Sequence, residues 1–312
     1  MMRVSRLFSA GVVVALMGWC GVSGSAQDWA KAALDKSPRH GEYVSIVVPN
    51  SGEANGRKLQ AWVVYPEVKE KAPVVVMIHE IFGLSDWARE MADEIAGAGY
   101  IVVEPDLLSG FGPAGAGASA PASHDVPMDH AHMQMGQSMA GAPFVPVAPG
   151  GTAAFPDQGA AVKAVSALPD AQVLADLDAA ADYGRKLPAA SAKLYVAGFC
   201  WGGGKSFLFA THRKDLSAAF VFYGPPPPAD AMKNIVAPVY GFYAGNDARI
   251  SATVPQTVID MKAGGKLYEP VTYDGAGHGF MRAGEAPDAD AADTAARAEG
   301  FRRLVKLLGG VR

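Results

Sequence analysis

The sequence predicts an α/β fold: a mostly parallel central sheet with helices on both faces. Short β-rich runs and helical patterns alternate from residue 42 onward at the spacing of βαβ units. The run Pro-Val-Val-Val-Met-Ile-His at 73–79 is apolar almost throughout, as in a strand covered from both sides. Half of the 312 residues are hydrophobic and 19% are charged, which supports a sizeable buried core and excludes a disordered chain.

In chain order, 42–48 and 59–65 flank the turn-forming cluster 50–56 and read as an antiparallel opening pair. The apolar run 73–79 belongs at the centre of the sheet. Residues 85–96 space Trp87, Met91 and Ile95 four apart on one helical face and stop at Gly97 and Gly99. A strand at 100–104 follows, then a helix at 173–186, a strand at 193–199 and a helix starting near Gly202. Strands at 218–223, 238–244 and 267–273 come next, with a helix at 254–263 between the last two and a closing helix at 290–308. Residues 109–169, rich in Gly, Ala, Pro and Met, break the rhythm and read as an insertion in a single domain spanning 27–312.

Arg3 and Arg6 precede an apolar run, 7–20, too short to span a bilayer, and Gly24-Ser25-Ala26 offers the small residues a signal peptidase needs. Residues 1–26 are therefore expected to be a secretory signal cleaved near Ala26, which places the mature chain in the periplasm or outside the cell. Lipidation at Cys20 is the alternative, disfavoured by the bulky Trp19 before it. Loss of Cys20 leaves Cys200 as the one cysteine of the mature chain, with no internal disulfide to form. The balance of 27 basic against 31 acidic residues supplies no electrostatic footprint for nucleic acid or an anionic membrane. Small-molecule partners, no stable membrane association and a monomer are the expectations.

Gly198-Phe199-Cys200-Trp201-Gly202-Gly203 lies where a strong β run gives way to a helix. This is the G-x-S-x-G nucleophile elbow with cysteine for serine: its glycines permit a tight turn that lifts the side chain above the sheet. The positive end of the following helix favours a thiolate there, and the Trp201 amide can donate to an oxyanion. The bland alternative is a small buried residue at an ordinary βα turn. Asp247 and His278 weigh against it. Both follow strands, at the sheet edge where open α/β folds bind ligands, and the order nucleophile, acid, histidine is that of α/β-hydrolases. Cys200 would attack a carbonyl, His278 would exchange protons with nucleophile and leaving group, and Asp247 would fix the imidazole tautomer. In His79-Glu80-Ile81-Phe82-Gly83 the Ile81 amide is the candidate second oxyanion donor. Glu80 is either a site carboxylate or a helix-start acid favoured by the dipole.

His79-Glu80-Ile81-Phe82-Gly83, Pro105-Asp106-Leu107, the cysteine elbow and Gly277-His278-Gly279-Phe280 together resemble the dienelactone hydrolase family of α/β-hydrolases, over roughly 42–107 and 170–308. The resemblance implies an α/β-hydrolase fold and a Cys200, Asp247, His278 triad, with Glu80 engaging the resting thiol. It also implies hydrolysis of 4-carboxymethylenebut-2-en-4-olide to maleylacetate without a cofactor, and Arg282 as holder of the substrate carboxylate. The family's second carboxylate-binding arginine has no counterpart in Leu108-Ser109-Gly110-Phe111.

The insertion carries a separate motif. His124, Met128, His130, His132, Met133, Met135 and Met139 are soft ligands of the kind that suit copper, or else parts of an adaptable apolar lid. Two function classes follow: a cysteine-dependent lactone or ester hydrolase, and a periplasmic copper-binding or other ligand-binding protein on a hydrolase scaffold.

Overall fold

The computed structural model describes residues 27–49, 56–113 and 144–310. The expected leader 1–26 with Cys20, and the His and Met cluster of 124–139, lie outside the described residues.

The described residues form ten strands: β1 (Gly41–Val48), β2 (Arg57–Val64), β3 (Ala72–Ile78), β4 (Ile101–Pro105), β5 (Ser109–Pro113), β6 (Phe144–Gly150), β7 (Ala190–Phe199), β8 (Ala218–Phe222), β9 (Val239–Ala244) and β10 (Tyr268–Tyr273). Eight of them make one sheet in the order β1-β2-β4-β3-β7-β8-β9-β10. β2 runs antiparallel to both neighbours, and every pairing from β4 to β10 is parallel. β3 is central, as its unbroken apolar run requires.

The alternation along β3 shows how the sheet is covered. Val74, Val76 and Ile78 join a core with Val173 and Leu177 of the helix Asp170–Lys186 and Phe207 of the helix Trp201–His212. Val75 and Met77 point the other way, into a core with Trp87, Met91 and Ile95 of the helix Asp86–Gly97 and Leu304 and Leu308 of the helix Ala291–Gly310. One strand thus feeds two cores because successive side chains leave opposite faces of the pleat. The helix Asp86–Gly97 starts where expected because the Ser85 hydroxyl accepts the Ala88 N–H.

The described parts of the insertion, 109–113 and 144–169, are more ordered than its composition suggests. β5 and β6 pair as an antiparallel ribbon, and the helix Gln158–Ser166 follows, capped by the Asp157 carboxylate on the Ala160 amide at 2.8 Å. Asp106 anchors the ribbon: its carboxylate accepts the Thr152 N–H at 2.7 Å and the Thr152 hydroxyl at 2.9 Å. Periodicity fails to reveal the ribbon because β5 is Ser-Gly-Phe-Gly-Pro, with Gly110 at φ 80° and a register shift between Ser109 and Phe111. The space beside Gly110 is filled by the Arg57 side chain, which is buried, pairs with the fully buried Asp176 and donates to the Ser109 carbonyl at 2.8 Å.

A helix at Asp28–Leu34, unforeseen in the sequence, packs Ala30 and Trp29 against the second core. No helix among the described residues is long and apolar enough to cross a membrane.

Candidate active site

Cys200 stands between β7 and the helix Trp201–His212 with φ 56° and ψ −117°, a backbone that an L residue adopts only under constraint. The constraint is visible in the glycines around it. A Cβ on Gly198 would lie 2.0 Å from the Gly202 carbonyl oxygen, one on Gly202 would lie 2.4 Å from the His79 oxygen, and one on Gly203 would lie 2.3 Å from the Phe222 oxygen. All three neighbours are backbone atoms that cannot swing aside. The helix therefore approaches β3 and β8 closely and Cys200 is pushed up from the end of the sheet. Gly203→Ala is expected to cost about 1–3 kcal/mol of stability, as overpacking does. Urea unfolding of the variant measures this, and a midpoint equal to wild type would contradict the close approach.

The other two expected residues arrive from the ends of β9 and β10. Asp247 caps a short helix, Ala248–Ser251, by accepting the Ile250 N–H at 3.3 Å, which leaves its second oxygen for the imidazole. The His278 loop is fixed by the Asp293 carboxylate, which accepts the Gly277 N–H at 2.7 Å, and by the left-handed Gly279. His278 Nδ1 lies 2.5 Å from Asp247 Oδ2, and Nε2 lies 3.0 Å from Cys200 Sγ. A carboxylate accepts and does not donate, so Nδ1 carries the proton and Nε2 presents its lone pair to the thiol.

The amides of Trp201 and Ile81 both donate toward the Cys200 sulfur. Burial and the negative charge of Glu80 work against them and push the thiol up to about 12, while the two amides and the Arg249 guanidinium pull the other way. Cys200 therefore rests as a thiol. Ile81 is held in place through His79, a buried imidazole whose Nδ1 donates to the Glu80 carbonyl at 2.7 Å and whose ring stacks on Trp201 with centroids 5.8 Å apart. Burial lowers the basicity of His79 and favours its neutral form.

Glu80 is only 2% exposed, and both its oxygens are engaged. Arg282 Nε donates to Oε2 at 2.7 Å and the Tyr223 hydroxyl donates to Oε1 at 3.3 Å. The carboxylate acts on the thiol through its charge while bound to these two partners, whereas the resemblance places it on the thiol itself. Arg282, expected at a substrate carboxylate, spends its Nε on Glu80 and lies over the Phe82 ring, 5.0 Å from its centroid, with its side chain 30% exposed.

Tyr223 and Arg249 escaped the sequence reading. Tyr223 is fully buried with φ 41°, and its ring packs edge-on against His278 with centroids 5.1 Å apart. Its place directly after β8, at the same sheet edge as Cys200, was the available signal. Arg249 is exposed, two residues beyond Asp247, and forms no ion pair among the described residues.

The model of the dienelactone hydrolase family matches residues 59–311. This chain belongs to the dienelactone hydrolase family. The match runs through the insertion and takes in each of the residues assembled above. A Salmonella typhi protein assigned as a carboxymethylenebutenolidase is 29% identical over 239 residues, covering 73% of this chain and 75% of its own. The carboxymethylenebutenolidase of Pseudomonas putida is 25% identical over 215 residues, or 69% of this chain and 77% of its own. The crystal structure of a Klebsiella pneumoniae protein assigned as a dienelactone hydrolase superposes with a TM-score of 0.63 at 25% identity, over 87% of this chain and 99% of that one. This dienelactone hydrolase family member therefore has the α/β-hydrolase fold and is a hydrolase.

Glu80 offers a test of its electrostatic part in the site. With its charge removed in Glu80→Gln, the thiol should fall below about 12 while staying raised, because burial, the larger cause, remains. At a fixed pH of 8 a larger thiolate fraction then reacts, so alkylation by iodoacetamide should speed up several-fold. Unchanged alkylation across pH 7 to 9 would reduce Glu80 to a holder of Arg282.

Proposed function

We propose that this protein hydrolyses lactones or carboxylic esters of small molecules through a Cys200 acyl-enzyme. The observation that carries the reading is the hydrogen-bonded chain from Cys200 Sγ through His278 to Asp247, set under the Ile81 and Trp201 amides. His278 Nε2 takes the thiol proton as sulfur attacks the acyl carbon, and the two amides hold the oxyanion. Asp247 stabilises the imidazolium. The tetrahedral intermediate collapses by breaking the bond to the ring or ester oxygen, which receives the proton from Nε2. Water then attacks the thioester with His278 as base, and the carboxylic acid leaves as the thiol is reprotonated. A lactone yields one hydroxy acid, and an open ester yields an acid and an alcohol.

Arg282 and Arg249 bias the site toward substrates that carry a carboxylate. A single charge-assisted contact is worth about 1–3 kcal/mol, or roughly tenfold to a hundredfold in kcat/KM. The leader at 1–26 supports export, so the reaction is proposed to occur in the periplasm or outside the cell. Ester pairs differing only by a terminal carboxylate, assayed with and without prior iodoacetamide treatment, test both parts. Iodoacetamide should stop turnover, and Arg282→Gln should reduce the preference for the anionic member. Full turnover after alkylation would overturn the cysteine mechanism, and equal rates for the two esters would overturn the anionic substrate class.

A further inference from the structure

Outside the Cys200 crevice, three carboxylates converge at the surface of the second core. Glu90 and Glu94 lie one turn apart on the helix Asp86–Gly97, and Glu285 follows the short helix Phe280–Ala283. One oxygen from each of the three carboxylates lies within 4.8 Å of the other two. They line an open recess of about 380 Å³ with Trp29, Thr294 and Arg297. Arg297 pairs with Glu94 and with Glu285, and the Trp87 indole donates to Glu285 at 3.1 Å. Glu90 is treated differently. It is only 7% exposed and its carboxyl meets Glu285, yet its Oε2 is buried with no hydrogen-bond partner.

An unmet buried carboxylate oxygen is costly, and like charges four residues apart on a helix repel. One guanidinium against three carboxylates leaves a formal deficit of two positive charges. We propose that this recess binds one calcium-sized divalent cation through Glu90, Glu94 and Glu285, with water filling its remaining coordination positions.

The geometry admits such an ion. The three oxygens are close enough together to share one ion bound at about 2.4 Å. The donors are carboxylate oxygens with no imidazole or thiolate among them, which selects a hard cation over copper or zinc. The recess is open to solvent, as an ion that keeps several waters needs. Occupancy would tie the helix Asp86–Gly97 to the segment that follows Arg282. The inference is independent of the hydrolase reading, because neither Cys200 nor its partners take part.

The competing occupant of Glu90 is a proton, shared with Glu285 as a carboxylic acid to carboxylate hydrogen bond. Calcium chloride titrated calorimetrically into chelator-stripped mature protein at pH 7.5 separates the two. The expected result is saturable binding of one ion, with a thermal midpoint that rises with calcium concentration. Glu90→Gln should abolish both, while Glu67→Gln, at an exposed acid elsewhere, should alter neither. Should Glu90→Gln fail to fold, Glu94→Gln carries the same expectation, since it too removes a ligand. No saturable heat up to 10 mM calcium, or undiminished binding in the glutamine variant, would overturn the proposal and leave the proton as the occupant. Ester turnover by the same samples is a separate readout, so loss of one result does not decide the other.

Discussion

Cys200→Ala should lower kcat for ester hydrolysis by about 10³–10⁶-fold, as removal of an attacking residue does in hydrolases that work through a triad. The residual rate is what the Ile81 and Trp201 amides and substrate binding supply by themselves. The substitution leaves the fold standing. Alanine has a Cβ like cysteine, so the strained backbone at φ 56° is retained, and the sulfur's contacts with His278 and the Trp201 and Ile81 amides are not what shapes the elbow, which its glycines set. Burst kinetics with a chromogenic ester and a thermal melt of the same preparation measure both quantities. Wild-type turnover in a fully folded Cys200→Ala protein would eliminate the acyl-enzyme.

The second large effect belongs to the imidazole and its orienting acid. His278→Ala should be nearly as damaging as Cys200→Ala, because a thiol pushed up to about 12 has almost no nucleophilic form at neutral pH unless a base removes its proton. Asp247→Asn should fall short of that loss, at roughly 10²–10⁴-fold, since the base remains but its tautomer is no longer fixed. The double variant Cys200→Ala/His278→Ala should be scarcely worse than either single change, for residues that act as one unit are not additive. Asp274→Asn is the control: it is an acid on the same loop as His278, without a hydrogen bond to the imidazole. Equal losses in Asp274→Asn and Asp247→Asn, both folded, would reassign the acid.

The sheet and the Cys200, His278, Asp247 chain were legible because each rests on local chemistry. A strand that must be apolar on both faces announces itself in five or six consecutive residues, as 73–79 does. The elbow announces itself through glycines whose missing Cβ atoms are a steric necessity. What escaped depends on partners far apart in the chain. Glu80 and Arg282 meet across 202 positions, and nothing near either residue specifies the other. The β5 and β6 ribbon is held by Asp106 reaching Thr152 and not by a hydrophobic period. Tyr223 was legible as the last residue of a strand. Its hydroxyl on Glu80 and its ring against His278 were not, because both follow from how β8 sits beside β7.

The high-lying thiol has a consequence for the lifetime of the enzyme. Peroxides and disulfides react with thiolate, and the first oxidation product of a cysteine begins a ladder whose upper rungs are irreversible. A sulfur that keeps its proton until an acyl group lies under the Ile81 and Trp201 amides is nearly inert to such oxidants, which do not place a developing oxyanion there. Burial of the sulfur, with the charge of Glu80 behind it, thus acts as a selectivity filter on chemistry. Under the proposed mechanism it keeps Cys200 silent toward small oxidants and lets a carbonyl substrate wake it.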